Sequence, residues 1–91
     1  MAGAGKRNWR SKAPRTARER RAVLRRGGPQ CFLDPKGLKF PVCPRASPRP
    51  TCQGVNAARL RAQLNRNPRI VKAAERLGFR LGCHRAGKAG R

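Results

Sequence analysis

Cys31-Phe32-Leu33-Asp34-Pro35-Lys36-Gly37-Leu38-Lys39-Phe40-Pro41-Val42-Cys43 is the stretch on which the fold turns, the one place where aromatics, aliphatics and turn residues alternate without a basic run. Asp34-Pro35-Lys36-Gly37 fits a type I turn, because Asp bonds its own backbone at the first position, Pro presets φ at the second and Gly tolerates the last. A short β-hairpin over 31–43 follows, with Leu33 opposite Leu38, Phe32 opposite Lys39 and Cys31 opposite Phe40, until Pro41 withholds a ladder donor. In that register Cys43 lies beyond the ladder. A Cys31–Cys43 bridge then requires the chain to bend back at Pro41.

Outward from this stretch the chain is dominated by arginine. Its 91 residues carry 24 Lys and Arg against three acids, Glu19, Asp34 and Glu75, for a net charge of +21. A folded chain so charged repels itself at low salt, so its expected natural state has a polyanion neutralising it. Eighteen of the 24 are arginine, whose weakly hydrated fork grips phosphate in two-pronged fashion and favours nucleic acid as partner. No apolar run approaches the ~18 residues of a membrane span, and no hydrophobic signal region opens the chain. The expectation is a protein with no membrane partner that is not secreted. The Arg-rich first 30 residues leave mitochondrial import open, although Thr16-Ala17-Arg18-Glu19 reads as a capping box beginning a permanent helix.

The chain divides into a disordered basic arm over 1–14, a small domain over 15–83 and a disordered basic tail over 84–91. The arm carries Lys6, Arg7, Arg10 and Lys12 as phosphate contacts; Trp9 within it stacks on a nucleic acid or packs on a protein surface. The first helix runs from Thr16 to Arg26 and stops at Gly27-Gly28-Pro29. Ala17 and Leu24 share its apolar face, with Val23 at the edge, and Arg18, Arg21 and Arg25 form a ridge for phosphate. A proline-rich connector, 44–50, serves as a stiff spacer. A second helix spans Val55–Arg66 with Ala57, Leu60 and Leu64 on one face and Ala58 and Ala62 toward the other.

Asn67-Pro68 caps a third helix running to Leu77 and ending at Gly78. Ile70, Ala73, Ala74 and Leu77 form its apolar face; Arg69, Lys72 and Arg76 stand opposite as a further phosphate ridge. Phe79 and Leu81 return apolar bulk to a core that also takes Phe32, Leu33, Leu38, Phe40, Leu60, Leu64, Ile70 and Leu77. The fold class is therefore mainly α, three short helices with one small hairpin between basic arms. Two helices joined at Asn67-Pro68 fit either a helix-turn-helix or a plain αα-hairpin.

Cys31, Cys43, Cys52 and Cys83 are spaced too widely for the close ligand pairs of common zinc modules, so zinc, disulfides and buried thiols all remain open, and no other cofactor is expected. Roughly 70 foldable residues secure only ~3–5 kcal/mol from their core, so a staple of some kind is expected. Three isolated acids, one histidine and no glycine-rich phosphate loop supply neither base nor nucleophile, and the chain is read as a non-enzyme.

Gly27-Gly28, Cys31-Phe32-Leu33, Leu38-Lys39-Phe40-Pro41-Val42, Cys52-x-Gly54 leading into Ala57-Ala58-Arg59-x-Arg61-Ala62, and Lys72-Ala73-Ala74 with Leu77-Gly78 follow an order that resembles small basic cysteine-containing proteins of large DNA viruses of algae and protists. The resemblance covers about Gly27 to Cys83; Thr51 and Arg59 stand where that pattern often has tyrosines. It implies a protein of the virion or viral factory that sits on the genome, and it carries over no site residues; the expected location is virion, nucleus or viral factory, and the expected role is packaging a viral genome. The leading expectation is a sequence-nonspecific protein that binds and condenses nucleic acid, chiefly duplex DNA. A ribosomal protein and an internal capsid cement protein, contacting viral structural proteins, are the alternatives.

Overall fold

The computed structural model describes residues 9–83. It is mainly helical: α1 spans Trp9–Lys12, α2 Ala17–Gly27, α3 Cys52–Leu64 and α4 Pro68–Leu81, with a two-stranded antiparallel hairpin of β1, Phe32–Asp34, and β2, Lys39–Pro41.

α2 begins where the capping box places it. Glu19 N–H donates to Thr16 Oγ1 at 3.0 Å while Thr16 N–H donates back to Glu19 Oε1 at 3.2 Å, so two otherwise orphan donors are satisfied. The helix ends at Gly28, whose φ of 83° a side chain would strain. Gly27, inside the last turn, is needed for a different reason. A Cβ there would lie 2.5 Å from Cys31 Sγ and 2.9 Å from the Pro48 carbonyl oxygen. The buried residue of α2 is Val23, with Leu24 beside it half-buried, whereas Ala17, assigned to the apolar face, is exposed.

The hairpin is shifted from the register read in the sequence. Phe32 stands opposite Pro41 and Asp34 opposite Lys39, and the tight turn is Pro35 to Leu38, with Leu38 N–H donating to the Pro35 carbonyl at 3.2 Å. Leu38 and Phe40 adopt φ of 54° and 57°. A sequence reading reserves that left-handed region for Gly or Asn, and so misses the longer loop. The shift is by two residues, which preserves the alternation of faces within the ladder, while Leu38 leaves the ladder for the loop. Pro41 does not end the pairing. Val42 N–H donates to the Cys31 carbonyl at 2.8 Å, which makes the intervening Phe32–Pro41 pair the non-hydrogen-bonded one, where a proline removes nothing.

In this register Cys43 reaches Cys31, and the two form a disulfide with Cα atoms 5.0 Å apart. The expectation against a direct bridge is thereby corrected. The second disulfide joins Cys52 to Cys83, Cα atoms 5.5 Å apart. Of the states left open for the four cysteines, the described fold has disulfides. By loop-closure entropy, loops of 12 and 31 residues contribute about 3 and about 3.7 kcal/mol.

The 44–50 connector is not a spacer. It doubles back, so that Thr51 N–H donates to the Val42 carbonyl at 3.0 Å, and Arg45 N–H donates to the Lys12 carbonyl at 2.9 Å. α3 then starts three residues earlier than expected, at Cys52, because the Thr51 hydroxyl caps it by accepting from Gly54 N–H at 3.0 Å. Gly54 is buried where its backbone meets other segments; a Cβ there would stand 2.5 Å from the Val42 carbonyl oxygen and 2.8 Å from Trp9 Cη2.

The Asn65–Asn67 turn, with Arg66 at φ 54°, reverses the chain, and Asn67 Oδ1 caps α4 by accepting from Ile70 N–H at 3.3 Å. With that turn at one end and Cys52–Cys83 at the other, α3 and α4 lie side by side along their whole length. This is an αα-hairpin, not the ~90–120° crossing of a helix-turn-helix. The buried stripes are small: Val55, Ala58 and Ala62 on α3, Ile70, Ala74 and Gly78 on α4. Gly78 therefore belongs to the packing and does not end the helix, which continues one turn to a left-handed cap at Gly82. Because the α3 contact runs along its small side, Leu60 and Leu64, expected in the core, are 47% and 80% exposed. Phe79 and Leu81 also face out, at 72% and 40% exposed. The core is instead Val23, Cys31, Phe32, Val42, Cys43, Val55, Ala58 and Ala74, flanked by Leu24, Leu33, Leu38, Phe40 and Leu77.

The inner part of the basic arm is built into this core. Ala13 and Pro14 are buried, and Arg20 Nε donates to the Pro14 carbonyl at 3.2 Å. Composition alone assigned 1–14 to disorder because it counts apolar residues and not the backbone bonds that neighbours supply. Residues 1–8 and 84–91 lie outside the described residues.

Candidate nucleic-acid interface

Of the ten cations assigned to phosphate, Lys6 and Arg7 lie outside the described residues; Arg10, Lys12, Arg18, Arg21, Arg25, Arg69, Lys72 and Arg76 are all exposed. Helical spacing gathers the last six of these into two lines. Arg18, Arg21 and Arg25 stand on the outer side of α2, away from buried Val23, and Arg69, Lys72 and Arg76 stand on α4 opposite Ile70, Ala74 and Gly78. The extra turn of α4 adds Arg80, exposed four residues beyond Arg76, so that ridge is one cation longer than its sequence assignment. The early stop placed at Gly78 hid it. Phe79 stands on the same outer side, three and seven residues after Arg76 and Lys72.

Other cations are absorbed by the fold. Arg20 Nη1 donates to the Leu38 carbonyl at 3.0 Å in addition to its bond to Pro14, pinning the hairpin loop against the start of α2. Arg26 Nη1 donates to the Arg45 carbonyl at 3.1 Å. Arg45 in turn donates to the Ser11 carbonyl and lies 3.6 Å from the Glu19 carboxylate, joining α1, α2 and the connector.

Anions are correspondingly engaged. The Glu19 carboxylate accepts from the Arg15 backbone N–H at 2.7 Å and from Thr16 N–H, and these bonds, helped by the Arg45 charge, hold its pKa below the ordinary value of 4.5. Asp34 closes the hairpin opposite Lys39, and Glu75 is exposed on α4. Glu19–Arg45 is the one ion pair among the described residues.

A concave region escaped the sequence reading. Arg10, Arg15, Arg20, Lys39 and Arg61 line a cleft of about 720 Å³ between α1, the start of α2, β2 and α3, together with Trp9 and Phe40. Its cations come from three stretches of chain, 10–20, Lys39 and Arg61, and not from one helix face, so no periodicity announces them; the signal lies only in the hairpin register and in the folding-in of α1.

Among the described residues no group of His, Cys, Asp and Glu is placed to hold a metal ion, and the four cysteines considered as zinc ligands are paired with one another. No helix among the described residues is long and apolar enough to cross a membrane. No family model, curated protein or solved structure matches the chain.

Proposed function

We propose that the protein binds nucleic acid without sequence preference and condenses it, by distributed contact of arginine ridges with phosphate, and that it has no enzymatic activity. The observation that carries this reading is an imbalance. Nineteen of the 24 cations lie among the described residues, and there they face three carboxylates, of which Glu19 is bound into a helix cap. Seven of these cations, Arg18, Arg21 and Arg25 on α2 and Arg69, Lys72, Arg76 and Arg80 on α4, stand in lines, a geometry suited to tracking a phosphate backbone, while the exposed α4 ridge carries no Asn or Gln to read base edges.

The two disulfides support a setting outside a reducing cytosol. A genome packaged in a particle meets that condition better than a ribosome does, and it agrees with the resemblance to viral basic proteins. Duplex DNA is the proposed partner.

Competition tests the proposal. Labelled random-sequence duplex bound to the oxidised protein is challenged with unrelated duplexes, a structured RNA and an acidic protein. Unrelated duplexes should displace the label equally, and long DNA should compact as its charge is neutralised. Displacement by one RNA fold far better than by any duplex points to a ribosomal role, and preference for the acidic protein points to a capsid cement.

A further inference from the structure

The cleft differs from the ridges in shape and composition. The ridges set their cations on the convex outer side of a helix, with Phe79 beside those of α4; the cleft is a half-open concavity that gathers cations and two aromatic rings around one space. Its volume lies in the ~300–1,000 Å³ range of small-ligand sites. Five cations and no carboxylate line it, an arrangement whose self-repulsion an anion would relieve.

Its walls are held in place by the fold. Arg20 is fixed by the Pro14 and Leu38 carbonyls. Trp9 is half-buried, with the edge of its ring seated against Gly54, where the absence of a Cβ makes room for it. Phe40 lines the same cleft from a backbone at φ 57°, a left-handed conformation that disfavours a residue with a side chain. Such outliers gather where a site needs them.

We infer that this cleft takes one unstacked nucleotide of a bound nucleic-acid strand, its phosphate held by Arg10, Arg15, Lys39 and Arg61 and its base against Trp9. The inference rests on the proposed nucleic-acid function and names the substrate feature this part of the surface selects. A duplex offers phosphates and base edges, and its base faces are already stacked; an aromatic wall gains only from a base that is free to stack, in a single strand, a loop or a frayed end. The ridges hold any nucleic acid, and the cleft favours strands that are locally open.

The chain has one tryptophan and no tyrosine, so its emission reports Trp9 alone. The oxidised full-length protein is titrated with oligo(dT), oligo(U), a blunt duplex of equal length and inorganic phosphate, and binding is followed in parallel by anisotropy of end-labelled strands. Oligo(dT) or oligo(U) should quench Trp9 at saturation, and the stronger of the two distinguishes DNA from RNA as the source. The duplex should bind with little change in emission, and phosphate should do nothing at matched concentration. Trp9→Ala should weaken single-strand binding on the order of tenfold, and Trp9→Phe should restore most of it, which separates stacking from a folding defect. Lys39→Gln with Arg61→Gln, both exposed, should reduce quenching and weaken single-strand binding by a larger factor than duplex binding. Equal quenching by duplex and single strand, quenching by phosphate alone, or single-strand binding with silent Trp9 would each overturn the inference and leave the ridge reading standing. Failure of both polymers to bind would defeat both.

Discussion

Replacing Cys52 and Cys83 together by Ser isolates what one covalent link contributes to a core this thin. The pair closes a loop of 31 residues, which by chain entropy alone is worth about 3.7 kcal/mol at room temperature. Cys52 is exposed and Cys83 half-buried, so the substitution removes little packing. Cys31 and Cys43 are both fully buried, and their removal would mix the loss of the link with a cavity. The 31–43 and 52–83 loops do not overlap, so the first bridge remains a constant background. The fully buried or nearly buried side chains of the core are small, valines and alanines with Phe32 as its one aromatic, and such a core supplies only ~3–5 kcal/mol. The double variant should therefore sit near the edge of folding. Urea denaturation followed by far-ultraviolet circular dichroism should show unfolding free energy lower by 3–4 kcal/mol, with a steeper denaturant dependence because the unlinked chain unfolds to a more expanded ensemble. A loss under about 1 kcal/mol, with unchanged slope, would refute the reasoning that the link compensates for the core.

Three further outcomes follow from the packing and the charges. Gly54→Ala should destabilise by about 1–3 kcal/mol in the same denaturation assay, despite alanine's better helix propensity, since the new methyl meets the Val42 carbonyl and the Trp9 ring. Leu64→Gln should change stability by no more than about 0.5 kcal/mol, whereas Ala62→Leu, on the fully buried side of α3, should cost about 1–3 kcal/mol; the reverse order would mean the wrong face is buried. Glu19 has a folded pKa below its unfolded one, so its contribution is fully present above about pH 4.5 and is lost as pH falls from there through the lower folded value. Thermal melts across that window should show a decline that Glu19→Gln removes, and an unchanged decline would assign the titration elsewhere.

The helices were legible in the sequence where side chains announce their ends. Thr16 with Glu19, Gly28 and Asn67-Pro68 stand where local chemistry places them, because each satisfies backbone groups within its own turn. Errors arose where a tertiary contact reassigns a residue. Gly78 reads as a cap but is the close-packing residue of α4, and Leu60 and Leu64 read as core because Leu outweighs Ala in hydrophobicity, although only the alanine side lets α3 approach α4. The hairpin was legible as a hairpin, but its register was not, since Leu38 and Phe40 adopt a backbone that their chemistry disfavours. The ridges follow from helical periodicity alone. The cleft does not, because Lys39 and Arg61 join the 10–20 stretch only through tertiary folding.

The claim of distributed phosphate contact is tested most directly by salt dependence. Affinity of the full-length protein for random duplex DNA is measured across a series of salt concentrations, beside a variant with Arg69, Lys72 and Arg76 all changed to Ala. The three side chains lie opposite the buried face of α4, so circular dichroism should show the helix intact. Each phosphate contact contributes about 0.9 to the slope of log affinity against log salt, so the variant's slope should be shallower by up to about 2.7, equally for every duplex sequence. An unchanged slope, or one duplex sequence bound far more tightly than the rest, would contradict the account.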